Sequence, residues 1–287
     1  MKILLAKDAG YCFGVRDAVN LAYDTADKDG DVYMLGHIVH NENVVKDLDN
    51  AGAKVVDSLD NIPEDKPVLF RAHGTSVETW DNANKKNMNI IDATCPLVLE
   101  IHDEVKKLEA EGRKIIIVGD HGHDEVKGIA SQVKDPIIVC SSKEALTLRK
   151  YKRAGVVSQS TQTIENVQEI INIIMTKVFD LRFVNTICFP TKRNQTQIKE
   201  LAKQCDLMVV IGSFTSANSK RLTQLSLDRN KNSYQVTCSE ELEESWFSDS
   251  KSVGISAGAS TPDELIHDVI NKVKTFSKIK VKEKIYE

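Results

Sequence analysis

The sequence has no C-x-x-C pair among its six cysteines, at 12, 95, 140, 188, 205 and 238, and no compact spacing of the kind that staples small secreted domains. It has no apolar run approaching a membrane span, and residues 1–8 hold too short an apolar stretch for a secretory signal. Nor is there a basic signature: the formal net charge is −4 and the lysines and arginines are scattered. Nucleic acid and acidic membrane surfaces are therefore not expected partners. No Pro/Gly/Ser-rich linker divides the chain. These absences lead to the expectation of a cytoplasmic protein with no membrane association, whose thiols are reduced or metal-bound rather than paired.

The 287 residues, 41% hydrophobic and 28% charged, are enough for two or three ordinary globular domains. Short Val/Ile/Leu runs at 2–6, 67–71, 114–118, 155–158, 207–211 and 252–256 alternate with stretches of helical period. Val15, Ala18, Val19 and Ala22 fall at i, i+3, i+4 and i+7, as do Val167, Ile170, Ile171 and Ile174, and Ile198, Leu201, Ala202 and Cys205. This alternation predicts an α/β fold of βα units on parallel sheets. Cys12, Cys95 and Cys188 recur at comparable intervals, each on a turn entering a predicted helix. The chain accordingly reads as three similar α/β domains, 1–95 with Cys12, 96–187, and 188–287 with the tail. The alternating charged and apolar residues at 278–284 read as a solvated terminal strand or frayed end, with no function assigned.

Polar motifs gather just after predicted strands and before predicted helices, the edge of a parallel sheet where ligands bind. Helix N-termini there present unbonded N–H groups and a positive dipole end, which suits phosphate-like anions. Three turns rich in hydroxyls or amides occupy such places: Gly212 to Ser219 with Ser216 and Asn218, Ser256 to Glu264 with Ser260, and Ser158-Gln159-Ser160-Thr161. Any one of them alone is ordinary helix capping, and Thr261, Pro262 and Glu264 match an N-cap, a first-turn proline and a capping box. Histidines fall on similar turns at His40, His73, His121 and His123, beside glycines that admit a ligand to the backbone. Together they point to a diphosphate clamp. Glu125 stands beside it; a carboxyl near an anion holds its proton to higher pH and can serve as a proton donor. The plainer role is first-turn charge complementing a helix dipole.

His121-x-His123 also has the form of two zinc ligands, yet no aspartate–histidine pair follows at the offset that zinc hydrolases use. Cys12, Cys95 and Cys188 on equivalent turns suit a soft-metal or cluster site better. Three thiolates on an iron–sulfur cluster would leave one iron open, which implies catalysis rather than electron storage. Cys205 on an apolar helical face, and Cys140 and Cys238 at strand ends, read as packing residues.

Seven motifs in order along nearly the whole chain then resemble one family: Ala9-Gly10-Tyr11-Cys12-Phe13-Gly14-Val15, Val39-His40-Asn41, Ala72-His73-Gly74, Asp92-Ala93-Thr94-Cys95-Pro96-Leu97-Val98, Gly122-His123-Asp124-Glu125-Val126, Thr186-Ile187-Cys188 and Ala257-Gly258-Ala259-Ser260. The family is that of the 4-hydroxy-3-methylbut-2-enyl diphosphate reductases, which close the methylerythritol phosphate route to isoprenoids. The resemblance implies three α/β domains in pseudo-threefold arrangement about one [4Fe–4S] cluster, with three cysteine ligands and an open fourth iron that takes the substrate hydroxyl. It implies that His40, His73, His123, Ser216, Asn218 and Ser260 hold the diphosphate, with Ser160 and Thr161 on the third hydroxyl turn, and that Glu125 is the proton source or relay. It further implies an allylic diphosphate substrate and a ferredoxin or flavodoxin electron donor.

The chain departs from the family pattern at Ser160, commonly threonine, at Ala217, commonly serine, at Asn194, commonly arginine, and at His123-Asp124, more often His-Pro. A quinolinate synthase-like cluster enzyme shares the three cysteines and three α/β domains but acts on carboxylic acids. A cluster-bearing redox sensor would have no need of Glu125.

Overall fold

The computed structural model describes residues 1–276 and the strand at 282–286. In chain order it forms β1 (Lys2–Ala6), α1 (Phe13–Asp29), β2 (Val32–Leu35), α2 (Glu42–Asn50), β3 (Ala53–Val56), β4 (Val68–Phe70), α3 (Val77–Lys85) and β5 (Ile90–Asp92). Then come α4 (Pro96–Ala110), β6 (Lys114–Val118), α5 (Asp124–Ala130), β7 (Ile137–Val139), α6 (Ser142–Thr147), β8 (Tyr151–Ser158), α7 (Ile164–Ile174) and β9 (Val178–Phe183). The last part holds α8 (Phe189–Gln204), β10 (Leu207–Ile211), α9 (Ala217–Leu227), β11 (Ser233–Val236), β12 (Ser252–Ala257), α10 (Asp263–Thr275) and β13 (Lys282–Tyr286).

The strands form three sheets, ordered β11-β10-β12-β1-β13, β3-β2-β4-β5 and β7-β6-β8-β9, and the pairs within each are parallel. The six apolar runs of the sequence are all strands, and the three helical faces lie in α1, α7 and α8, except that Cys205 stands just past the end of α8. The remaining strands are short or half-exposed, as at Ile90–Asp92 and Ser233–Val236.

Alternation of side chains across a strand explains why the central runs are apolar throughout. In the first sheet Leu207, Val209 and Ile211 pack with Ile266, Val269, Ile270 and Val273 of α10. Met208 and Val210 point the other way, onto Ile198, Leu201 and Ala202 of α8 and Leu222 and Leu225 of α9. In the third sheet Ile116 and Val118 meet Val167, Ile170 and Ile174 of α7, while Ile115 and Ile117 meet α4 and α5. Both faces of the first and third sheets are thus covered, and ligands are left the strand ends.

The sheets regroup the sequence thirds. β1 pairs with β12 and β13, so the first strand belongs with the last part of the chain, not with the rest of 1–95. A recurring cysteine interval marks the repeat length but carries no information on which distant strand β1 will pair with. The chain divides into two compact units, residues 1–15, 40–44 and 189–287 with the first sheet, and residues 16–39 and 45–188 with the other two. Of the tail, 278–281 lies outside the described residues, while Lys282–Tyr286 is a strand on the edge of the first sheet rather than a frayed end. No helix among the described residues is long and apolar enough to cross a membrane.

Candidate active site

Each sheet has the same plan. One edge strand, β3, β7 or β11, is followed by the strands β2-β4-β5, β6-β8-β9 or β10-β12-β1. The candidate residues sit in the turns that leave those nine strands: His40, His73 and Cys95 in the second sheet, His123, Ser160 and Cys188 in the third, and Ser216, Ser260 and Cys12 in the first. Each sheet therefore supplies one cysteine, from equivalent strands β5, β9 and β1, and two polar turns.

The cysteine turns repeat in detail. Cys12, Cys95 and Cys188 each stand immediately before a helix, α1, α4 and α8, where the helix dipole favours a negatively charged thiolate. The N–H of Cys95 donates to Ala72 O at 3.0 Å, that of Cys188 to Ser160 O at 3.0 Å and that of Cys12 to Ala259 O at 3.4 Å. Every one of these acceptors lies two residues past the neighbouring strand, β4, β8 or β12. Cys95 caps α4 through its backbone only, with no side-chain bond to the helix. Phe13 and Phe189, which follow Cys12 and Cys188, stack with ring centroids 5.7 Å apart and an interplanar angle of 10°. None of the six cysteines is in a disulfide, and these three are half-buried. Thiols so presented, with their backbones already anchored, fit the ligand set of a cluster.

Glu125 enters the first turn of α5 and is 2% exposed. Both its carboxyl oxygens accept from one residue: Ser160 N–H at 2.5 Å to Oε1 and Ser160 Oγ at 2.7 Å to Oε2. Because Ser160 O also accepts from Cys188 N–H, this one turn ties the carboxyl to a cysteine. His123 caps α5, its Nδ1 accepting from Glu125 N–H at 3.2 Å. With Nδ1 an acceptor, the neutral ring carries its proton on Nε2, which becomes a donor. The His73 ring lies edge-on to it, centroids 5.8 Å apart. The family departure at Asp124 is offset locally: its Oδ2 receives Arg71 Nη1 at 2.7 Å, so the added charge is paired and the turn after β4 is tied to α5.

In the other unit, Ser260 Oγ donates to His40 O at 3.1 Å, and Asn41 Nδ2 donates to Ser260 O at 2.8 Å. The Asn41 side-chain oxygen accepts from Asn43 and Val44 N–H and so caps α2. Ser216 caps α9, its Oγ accepting from Ser219 N–H at 3.3 Å, which leaves its own hydroxyl proton available. Asn218, one turn into that cap, is 6% exposed, and neither Nδ2 nor Oδ1 has a hydrogen-bond partner. Such an amide fits an anion that supplies the missing acceptor. Glycine is required around it: a Cβ on Gly258 would lie 2.1 Å from Ser219 Oγ.

Several sequence expectations change. Thr261 is not an N-cap: its hydroxyl donates to Ile211 O at 3.1 Å, at the end of β10, and Pro262 takes the cap position with no side-chain bond to the helix. The capping box fails because α10 begins one residue later than its sequence signal. Thr161 Oγ1 accepts from Gln159 Nε2 at 3.0 Å. His121 and His123 do not act as a pair, since the first faces Glu144 and the second caps α5. Asn194, on α8, donates to Ala257 O at 3.1 Å and accepts from Ser256 Oγ, bracing the end of β12. Cys205 is packing, with burial pushing its thiol up to about 11. The roles of Arg71 and Asn41 were not visible in sequence; only Arg71's place two residues before His73 hints at the first.

The sequence profile of the LytB protein family matches residues 3–274. A relative from Geobacter sulfurreducens named 4-hydroxy-3-methylbut-2-enyl diphosphate reductase is 39% identical over 277 residues, 96% of this chain and 98% of that protein. One of the same name from Geotalea daltonii is 38% identical over 281 residues, 98% of this chain and 99% of that protein. Among solved structures, an (E)-4-hydroxy-3-methyl-but-2-enyl diphosphate reductase, described as the terminal enzyme of the non-mevalonate pathway, is 36% identical with a TM-score of 0.72 and covers 96% of this chain and 99% of its own. The E-1-hydroxy-2-methyl-but-2-enyl-4-diphosphate reductase from Plasmodium falciparum is 26% identical with a TM-score of 0.93, covering 99% of this chain and 92% of its own. The three-sheet plan, its repeated cysteine turns and a match over nearly the full length lead to one conclusion: this chain belongs to the LytB protein family.

Proposed function

We propose that the protein reduces 4-hydroxy-3-methylbut-2-enyl diphosphate to isopentenyl and dimethylallyl diphosphates, using a [4Fe–4S] cluster ligated by Cys12, Cys95 and Cys188. The observation that carries the reading is the threefold recurrence of a cysteine before a helix, its N–H bonded to the turn of the neighbouring strand. The names of the relatives give the substrate. When bound, such a cluster supplies electrons one at a time and an open iron as Lewis acid.

The chain's own residues account for the rest. The carbon–oxygen bond of the allylic alcohol breaks and a carbon–hydrogen bond forms, so two electrons and two protons enter and water leaves. Glu125 holds and passes protons: both carboxyl oxygens accept from Ser160, and the Ser160 hydroxyl fixes the direction of the group. His40, His73, His123, Ser216, Asn218 and Ser260 receive the diphosphate, with Ser160 and Thr161 at its margin. Burial of Asn218 and Ser216 excludes water from these contacts and strengthens them. A small low-potential donor of the ferredoxin or flavodoxin class and a cytoplasmic setting complete the proposal.

The test is anaerobic purification with iron and sulfide analysis, followed by turnover of the allylic diphosphate with a chemical reductant and mass-spectrometric detection of five-carbon diphosphates. Cluster with both products is the expected result. A stable cluster with no turnover would overturn the substrate assignment and return the protein to quinolinate synthesis or sensing.

A further inference from the structure

The turn after β7 holds a group that the reductase chemistry does not use. His121, Cys140 and Glu144 come from the β6–α5 turn, the end of β7 and the first turn of α6, and their ligand atoms all lie within 4.8 Å of one another. Cys140 Sγ donates to Glu144 Oε1 at 3.0 Å, and His121 Nε2 lies 2.9 Å from Glu144 Oε2.

From this geometry we infer a second metal site, distinct from the three cluster cysteines, that takes a zinc-class divalent ion on His121 Nε2, Cys140 Sγ and the Glu144 carboxylate. Thiolate, imidazole and carboxylate are the three ligand types zinc uses, and half-exposed His121 leaves a side open for water as fourth ligand. Charge balances: the ion displaces the Cys140 thiol proton to solvent, the neutral His121 ring carries its proton on Nδ1 so that Nε2 is free to ligate, and the ion meets one thiolate and one carboxylate, giving a neutral site. Cys140 and Glu144 already share that proton, which holds the thiol above its usual range and the carboxyl down to about 2.

Supports behind the ligands are in place, as metal sites require. Cys140 N–H donates to Glu144 Oε2 at 2.9 Å, Cys140 O accepts from Asn166 Nδ2 at 3.3 Å, and Asn166 Nδ2 also donates to Gln162 Oε1 at 3.0 Å. The equivalent turn after β11 shows what plain capping looks like. There Glu241 accepts from Thr237 N–H and hydroxyl, with a hydroxyl where the other turn has a thiol and with no histidine in the turn after β10. The thiol and the added imidazole are what convert a capping turn into a ligand set.

The test loads the anaerobically purified, full-length protein and its Cys140→Ser variant with Co²⁺ and Zn²⁺ after chelator treatment of weakly held ions. The serine keeps a hydrogen bond to Glu144, and circular dichroism checks the fold. Expected are one additional tightly held ion in the wild type and a thiolate-to-cobalt charge-transfer band that Cys140→Ser abolishes, with Glu144→Gln and His121→Ala weakening affinity by at least about 10-fold. Equal binding and an unchanged band in Cys140→Ser would overturn the site, because ions on Cys12, Cys95 or Cys188 survive that substitution. The difference is read whether or not the cluster is present, so failure of this site and failure of the reductase reading remain distinguishable.

Discussion

After β8, the N–H, carbonyl and hydroxyl of Ser160 are all spent within the protein, on Glu125 and Cys188, whereas after β10 the amide of Asn218 is buried with neither polar atom bonded. The two turns occupy neighbouring positions in the repeated sheet plan yet differ in how their polar atoms are met. In the proposed reaction, a carboxyl that moves protons would have to point one way before substrate arrives, and two bonds from a single serine hold Glu125 in one direction. In the same proposal an amide that receives an anion does the reverse: left unsatisfied in the fold, it costs stability that a ligand would return. Unmet and fully met buried polarity thus both occur in one chain.

The sharpest way to break the first half of the comparison is Glu125→Gln, which keeps shape and hydrogen bonding but cannot deliver a proton. Turnover should fall by at least about 100-fold while iron content is retained; near-normal turnover would remove Glu125 from the reaction.

His102 probes whether an unmet buried atom always awaits a ligand, since its Nε2 is buried without a partner behind the turns, against Gly74 and Gly128. Burial lowers its pKa from 6.5 to about 4, so the folded state holds it neutral while the unfolded chain takes up a proton. Its contribution is therefore full above about pH 6.5 and is lost as pH falls to about 4, by up to about 3 kcal/mol. Urea midpoints across that window should slope less in His102→Leu than in the wild type; identical slopes would refute the assignment.

Ser160→Ala removes one of the two bonds to the carboxylate and should cost about 1.5–3 kcal/mol in denaturant unfolding, with a drop in kcat rather than a rise in KM. Asn218→Leu gives the opposite pattern: no internal bond is lost, so stability holds or rises, while KM for the diphosphate increases about 10-fold. A destabilised variant with unchanged KM would show that this amide serves the fold. The smallest effect is expected of Cys205→Ala, about 1 kcal/mol of packing with iron content unchanged; iron loss from the folded variant would overturn the ligand assignment.

Much of this was legible in sequence because its causes are local. Leu207–Ile211 and Lys114–Val118 announce buried strands by continuous apolar runs, and Val167, Ile170 and Ile174 announce a helix by their period. The edge strands Ile137–Val139 and Ser233–Val236 were silent, being too short for a period to show. Thr261 misled because its hydroxyl had a better acceptor, Ile211 O, on a strand far away in the chain.

By itself the sequence determined that the fold is α/β, that its polar residues collect between strands and helices, and that three cysteines enter helices, since backbone propensity and side-chain alternation act over a few residues. Only the tertiary structure decided that β1 completes the sheet of β10 and β12, that Ser160 grips Glu125, and that Asn218 is buried unbonded. Those outcomes depend on which distant surfaces exclude water together, a property of the packed chain and of no segment within it.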